Sequence, residues 1–190
     1  QYCFFVAGII GEMLTQFVQQ PQLLKKSIQF GLCLQKVNLL KDQKEDEAQG
    51  RYLVPDRAEL MKSFSQDARG AIEYLTQIPV SMREYRLFCA WSLFLGISSL
   101  TWVQSSLLQS LVSKLPRAMT QVLLSKIENM IDDNEKLLAH FQDVMGAFIS
   151  SIPQSKNLAP RLIGSDSGLW LQHLYQGQLQ QKDLTELELV

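Results

Sequence analysis

Apolar residues recur at helical spacing along most of the chain, and prolines separate the segments that carry this pattern. The spacing predicts a first helix over about 2–18 and a second over about 22–47, on either side of Pro21. A short loop over 48–55 follows the second helix. We expect no strands, because the sequence has no alternating β-branched run bounded by Asn-Gly or Asp-Gly turns. The pattern therefore predicts an all-α fold.

Helix-start signals predict a third and a fourth helix. Asp56 and Glu59 have the spacing of a capping box, in which the first side chain caps the backbone of the helix. The third helix is expected to stop at the next proline. Ser81 and Glu84 repeat the spacing and open a fourth helix, which runs to about Gln104.

Downstream of the fourth helix the helical pattern is less regular. A further helical stretch is predicted over 107–114, and Pro116 fits the first turn of a long helical region with a break near 132–134. After residue 152 the chain turns rich in Ser, Gly, Asn and Gln. We therefore divide it into a helical domain, 1–152, and a loop with a polar C-terminal helix or tail, 153–190.

The second helix carries four polar residues on one face, which we call the polar stripe. Gln35, Asn38, Asp42 and Asp46 are spaced three, four and four apart, so they align at 3.6 residues per turn. Apolar residues lie nearly all round the helix, which is typical of a buried helix. Because buried carboxylates need partners, and Mg²⁺ prefers carboxylates together with substrate phosphates, the stripe predicts a magnesium site.

The residues around the acidic end fit an anionic head group. Lys41 and Arg51 can pair with phosphate oxygens, Gly50 lets the loop backbone come close, and Tyr52 adds a possible donor. The alternative is that the acidic run 42–47 is a solvated helix end, since charge runs usually lie on exposed faces.

The first helix is expected to lie antiparallel to the second, because the connection between them is short. The helical rise then places Tyr2 near the level of residues 38–42. Gly8 and Gly11 would allow the two helices to approach closely. The first helix would present one face to an apolar ligand tail, made of Tyr2, Val6, Ile9 and Met13.

Composition excludes several classes of function. The net charge is −1, from 18 basic and 19 acidic residues, so nothing indicates nucleic acid or an anionic membrane as a partner. The three cysteines are scattered, which predicts neither a disulfide framework nor a zinc site and favours a reducing, cytoplasmic location. No signal peptide is recognisable, and the most apolar stretch, 87–103, is too short and too rich in serine for a membrane anchor.

Three segments resemble the squalene and phytoene synthases. Residues 2–11, YCFFVAGIIG, are similar to the tyrosine-bearing helix of that family. Residues 34–46, LQKVNLLKDQKED, resemble its second aspartate-rich motif, and residues 50–55, GRYLVP, resemble the loop that follows.

The resemblance implies an isoprenoid-synthase-type helical bundle that here lacks its N-terminal helices. It implies Mg²⁺-assisted loss of diphosphate and head-to-head condensation of two prenyl diphosphates, typically farnesyl diphosphate. Asp42 and Asp46 correspond to metal ligands, and Arg51 to a residue that holds diphosphate. Three residues would line the reaction centre: Tyr2, Gln35 and Asn38.

The chain also departs from the family pattern. The first aspartate-rich motif should precede Tyr2, so this chain alone is expected to be inactive. The acidic run 132–135 is read as a solvated face or helix break. Lys41 replaces the usual arginine, and Ser92 and Leu93 depart from the squalene synthase pattern, so NADPH use is not supported. No eukaryotic-type membrane anchor is seen, although an apolar product would allow peripheral membrane contact.

Two other functions remain open at this point. A non-catalytic relative could serve as a lipid-binding or assembly factor, although such a protein has no reason to retain Asp42, Asp46 and Arg51 together. A plain helical interaction domain would carry the acidic cluster on its surface and would not be stabilised by diphosphates with Mg²⁺.

Overall fold

A computed structural model of the protein describes residues 2–107 and 114–152. Within them the chain forms six α-helices and no strand, which confirms the predicted all-α class. The helices are α1 (Ile9–Phe17), α2 (Leu24–Ala48), α3 (Arg57–Gln77), α4 (Arg83–Leu107), α5 (Arg117–Met130) and α6 (Asn134–Ser151). A π-helical turn, Phe4–Gly8, leads into α1, and 3-10 turns precede α2 (Pro21–Leu23) and α4 (Val80–Met82). The predicted stretch 107–114, apart from its two ends, and the segment 153–190 lie outside the described residues.

Local hydrogen bonds explain most of the helix boundaries. Asp56 caps α3, where its carboxylate accepts a hydrogen bond from the Glu59 amide at 3.0 Å, as predicted. Asp133 caps α6 in the same way, so the predicted break between the last two helices is confirmed. The cap predicted at Ser81 is wrong. A 3-10 turn already begins after Pro79, so Ser81 has helical backbone where a cap would need an extended one.

Helix α2 is the central helix of the first four, with α1, α3 and α4 packed around it. Two glycines bring α1 and α2 together. A Cβ on Gly11 would stand 2.1 Å from the Ser27 carbonyl oxygen, and one on Gly31 would stand 2.1 Å from that of Ala7. The hydroxyls of Thr15 and Ser27 also share a hydrogen bond at this interface. These contacts confirm the predicted antiparallel, close-packed pair, with Gly11 opposite α2 as expected.

Helix α4 lies in the core, as expected for the most apolar stretch of the chain. Its Leu93, Phe94, Ile97 and Leu100 are fully buried among the other helices. Within the described part of the chain, one helical stretch, Val80–Gln104, is long and apolar enough to cross a membrane, and half of its most apolar window is buried. Core helices of the same length and composition meet this criterion as well.

A buried arginine joins the second half of the fold to the first. The Arg86 guanidinium is fully buried and donates to the backbone carbonyls of Leu75, Ile78 and Ile131 and to the side chain of Asn134. Burial lowers the pKa of Arg86. Because these acceptors are at the ends of α3 and α5 and the start of α6, one side chain satisfies carbonyls that the helices leave open.

Candidate functional site

The polar stripe is partly open to solvent. Asn38 is exposed, Gln35 is half-buried, and the Asp42 and Asp46 side chains are 43% and 13% exposed. The acidic end of α2 is therefore partly open to solvent. The apolar sequence around it had predicted a buried helix instead. An open stripe with two carboxylates one helical turn apart can be reached by a cation or by a ligand from solvent.

The packing of α1 on α2 sets the level of Tyr2. Gly11 faces Ser27, and Ala7 faces Gly31, so each step towards the N-terminus of α1 is one step towards the C-terminus of α2. Continuing this register places Tyr2 beside Lys36, between the levels of Gln35 and Asn38 and about one turn short of the predicted level. The Tyr2 side chain is exposed there.

The apolar surface next to the stripe belongs to α1 rather than to α2. Upstream of the stripe, α2 is covered, since Gly31 lies under the Ala7 carbonyl. This part of α2 is therefore packed against the first helical segment. The exposed apolar face predicted for the first helix is present on the helical segment 2–17, which includes α1, and we call it the α1 face: Tyr2, Val6, Ile9 and Met13.

The loop after α2 brings a guanidinium to the acidic end. Arg51 donates from Nη2 to Asp46 Oδ1 at 2.7 Å and to Gln49 Oε1 at 2.8 Å. The backbone closes with bonds from the Arg51 amide to the Asp46 carbonyl and from the Gly50 amide to the Glu47 carbonyl, the pattern of a Schellman motif. Gly50 has a φ of +76°, a conformation that favours glycine, so the termination of α2 accounts for a glycine at this position.

The remaining predicted head-group residues lie close to the same end. Lys41 Nζ stands 3.5 Å from Asp42 Oδ1, with both side chains partly exposed. Tyr52 is exposed in the loop. The structure therefore brings Lys41, Asp42, Asp46 and Arg51 into one polar end of α2, while Tyr52 has its ring in solvent.

The donor set at this end fits a hard cation shared with a phosphate ligand. Among the described residues no group of three or more His, Cys, Asp or Glu side chains could hold a metal by itself. Two carboxylates remain, Asp42 and Asp46, and Mg²⁺ commonly takes one or two carboxylates and fills its other positions with water and phosphate oxygens. Lys41 and Arg51 are the cations available for those phosphates.

The sequence analysis missed one ion pair beside the stripe. Lys36 Nζ stands 2.6 Å from Asp67 Oδ2 on α3, with the side chains 13% and 10% exposed. Burial raises the pKa of Asp67, and the neighbouring Lys36 opposes that shift. The signal available in the sequence was one lysine on an otherwise apolar face of α2 and one aspartate on an otherwise apolar face of α3.

Comparison with known proteins finds relatives for the segment that carries this site. Residues 1–70 match the family described as squalene/phytoene synthase. The chain is similar to the squalene synthase of Mycosarcoma maydis, with 38% identity over 85 residues that cover 38% of this chain and 15% of that protein. It is also similar to the squalene synthase of Cyberlindnera jadinii, with 37% identity over 65 residues, or 28% of this chain and 14% of that protein.

These findings confirm the family resemblance for the first 70 residues. The all-helical architecture agrees with the isoprenoid-synthase-type fold that the resemblance implies. The matched segment spans only about 15% of the length of the relatives.

Proposed function

We propose that the chain is part of a head-to-head prenyl synthase and holds the diphosphate of an isoprenoid substrate, most simply farnesyl diphosphate, through Mg²⁺. The observation that carries this proposal is the convergence of Asp42, Asp46 and Arg51 at the open end of α2, within the segment that matches the squalene/phytoene synthase family. A lipid-binding or assembly role would not require two aligned carboxylates with a guanidinium beside them.

Each residue at this end has a distinct part in binding. Asp42 and Asp46 would hold Mg²⁺, which when bound neutralises the diphosphate charge and assists its departure. Arg51 now pairs with Asp46 and can move to a phosphate oxygen, because its side chain is 56% exposed and lies on a loop. Lys41 would supply a second positive charge beside Asp42.

The prenyl group would lie along the exposed α1 face. Gln35 and Asn38 would stand beside the carbon that loses diphosphate, where their amide dipoles can orient the substrate and exclude water. Tyr2 is level with them, so its ring and its phenol oxygen lone pairs could stabilise the developing cation. We place this chemistry in the cytoplasm, with peripheral membrane contact for an apolar product and no assigned role for NADPH.

A ligand titration tests the proposal. Farnesyl thiodiphosphate, a non-hydrolysable analogue, is added with and without Mg²⁺ while the melting temperature is followed. A ligand that binds only the folded state stabilises it by about 2.7 kcal/mol at a hundredfold excess over its dissociation constant. We expect a Mg²⁺-dependent rise that the Asp42→Asn/Asp46→Asn variant loses.

A matched control removes the same charge elsewhere. Glu84 and Glu128 are exposed on α4 and α5, away from the polar stripe. The Glu84→Gln/Glu128→Gln variant should keep the full rise in melting temperature. An absent rise in the wild-type chain, or an equal loss in both double variants, would contradict the proposed site.

A further inference from the structure

The buried ion pair between Lys36 and Asp67 lies at the level of the polar stripe. Lys36 is in the same helical turn of α2 as Gln35 and Asn38 but projects towards α3. On one side of this turn α2 presents polar groups to the open surface, and on the other it holds a nearly buried charge. Because both lie on α2, any rotation of the helix that moves Lys36 also turns the polar stripe.

Apolar packing holds α2 on α3 through a ring contact upstream of the polar stripe, where the Phe30 and Tyr74 centroids are 5.6 Å apart, and through smaller residues at the level of Lys36. Ala68 and Ala71 are fully buried there, and Gly70 lies under the side chain of Gln29, where a Cβ would stand 2.3 Å from Oε1. Small residues form shallow ridges, so at this level the apolar surface of α3 holds the rotation of α2 less firmly than the ring contact does upstream.

An ion pair is sensitive to that rotation. A rotation by one residue turns a helix through about 100°, which would take Lys36 away from Asp67 and turn Asp42 away from the open side. Because separating the pair would leave an uncompensated buried charge, the rotated arrangement is strongly disfavoured.

The other polar contacts between α2 and α3 lie away from the level of Gln35 and Asn38, where Lys36 meets Asp67. Lys26 pairs with Glu73 at 2.9 Å, but that pair lies near the start of α2 with both side chains 29% exposed. Arg57 donates to Gln43 and to the Leu40 carbonyl at the start of α3, one to two turns of α2 beyond Lys36.

We propose that Lys36 and Asp67 are positioning residues, whose ion pair sets the rotation of α2 and thereby aims Gln35, Asn38 and Asp42 at the ligand. The ligand part of this inference rests on the proposed function, whereas the effect on α2 does not.

The test removes both charges at once. The Lys36→Met/Asp67→Leu variant leaves no unpaired buried charge and is expected to fold, since apolar replacement of a buried pair is often neutral or stabilising. Its dissociation constant for farnesyl thiodiphosphate with Mg²⁺, measured by calorimetry, should rise about tenfold, as for residues that orient metal ligands. The matched variant, Lys26→Met/Glu73→Leu, should bind as the wild-type chain does.

A ligand-free measurement separates this inference from the proposed function. Hydrogen exchange of the peptide 38–46 should quicken in the Lys36→Met/Asp67→Leu variant and stay unchanged in the Lys26→Met/Glu73→Leu variant. If the wild-type chain does not bind the ligand, the proposed function fails and the exchange result alone decides the positioning role. Unchanged exchange of 38–46, or wild-type affinity in the Lys36 variant, would overturn the proposal, and so would equal changes in both variants.

Discussion

At the scale of single residues, His140 carries an electrostatic cost of burial. Its ring is stacked on Phe94, with 4.9 Å between the ring centroids, and Nδ1 lies 3.1 Å from Lys126 Nζ. Burial lowers the pKa of His140, the charge on Lys126 lowers it further, and Asp143 opposes both. The fold therefore favours the neutral imidazole.

This shift predicts how stability depends on pH. The folded state binds fewer protons than the unfolded state between its lowered pKa and the ordinary value of 6.5, so the unfolding free energy rises with pH in that window. The contribution is complete above pH 6.5 and is lost as the pH falls through the folded pKa. Urea unfolding measured between those values should show the rise, and His140→Phe should remove it.

The sequence contains a natural control for this prediction. His173 is the other of its two histidines, so a His173→Phe variant should keep the pH dependence that His140→Phe loses. If the pH dependence of the unfolding free energy disappears only in the His173→Phe variant, it arises from His173 and the prediction is wrong.

At the scale of helices, the contact of α1 with α2 depends on backbone atoms that touch. Replacing Gly31 by alanine would put a Cβ 2.1 Å from the Ala7 oxygen and 2.9 Å from its carbonyl carbon, so one helix must move. Such overpacking costs about 1–3 kcal/mol, against a gain of roughly 1 kcal/mol in helix propensity. We expect Gly31→Ala to lower the unfolding free energy in urea and to expose the stripe end of α2 to faster hydrogen exchange.

Gly146 on α6 supplies the opposite case. A Cβ there meets no atom within 4 Å, so Gly146→Ala should gain about 1 kcal/mol of stability from helix propensity. A loss from Gly146→Ala, or a gain from Gly31→Ala, would show that the close approach of α1 to α2 is not what these glycines provide.

The helices themselves were predictable because their signals are local. The caps at Asp56 and the break before α6 follow from residues within one turn of each other, and the 3.6-residue spacing aligned the polar stripe. The Ser81 cap failed because Pro79 starts a 3-10 turn, which the spacing alone does not distinguish from a capping box. Lys36 and Arg86 find their partners on other helices. A sequence can mark such a residue as a charge among apolar positions, but it does not say which residue of another helix it meets.

At the scale of the whole molecule, the candidate site is one-sided. Asp42 and Asp46 supply two carboxylates from a single helix, and the described residues hold no third acidic group, histidine or cysteine within metal-binding reach. Diphosphate departure is assisted best when cations contact the leaving group from more than one direction. The proposed head-group site therefore has cations on only one side.

The last prediction follows from this asymmetry. The 190-residue chain should bind farnesyl thiodiphosphate with Mg²⁺ yet release no diphosphate from farnesyl diphosphate above the rate without protein. Release is measured as phosphate after treatment with pyrophosphatase, with the Asp42→Asn/Asp46→Asn variant as the control for contaminating hydrolysis. Mg²⁺-dependent release that this variant abolishes would mean that one helix and its loop suffice for ionisation. Binding without release would instead show that α2 recognises the substrate, and that loss of diphosphate needs metal ligands beyond Asp42 and Asp46.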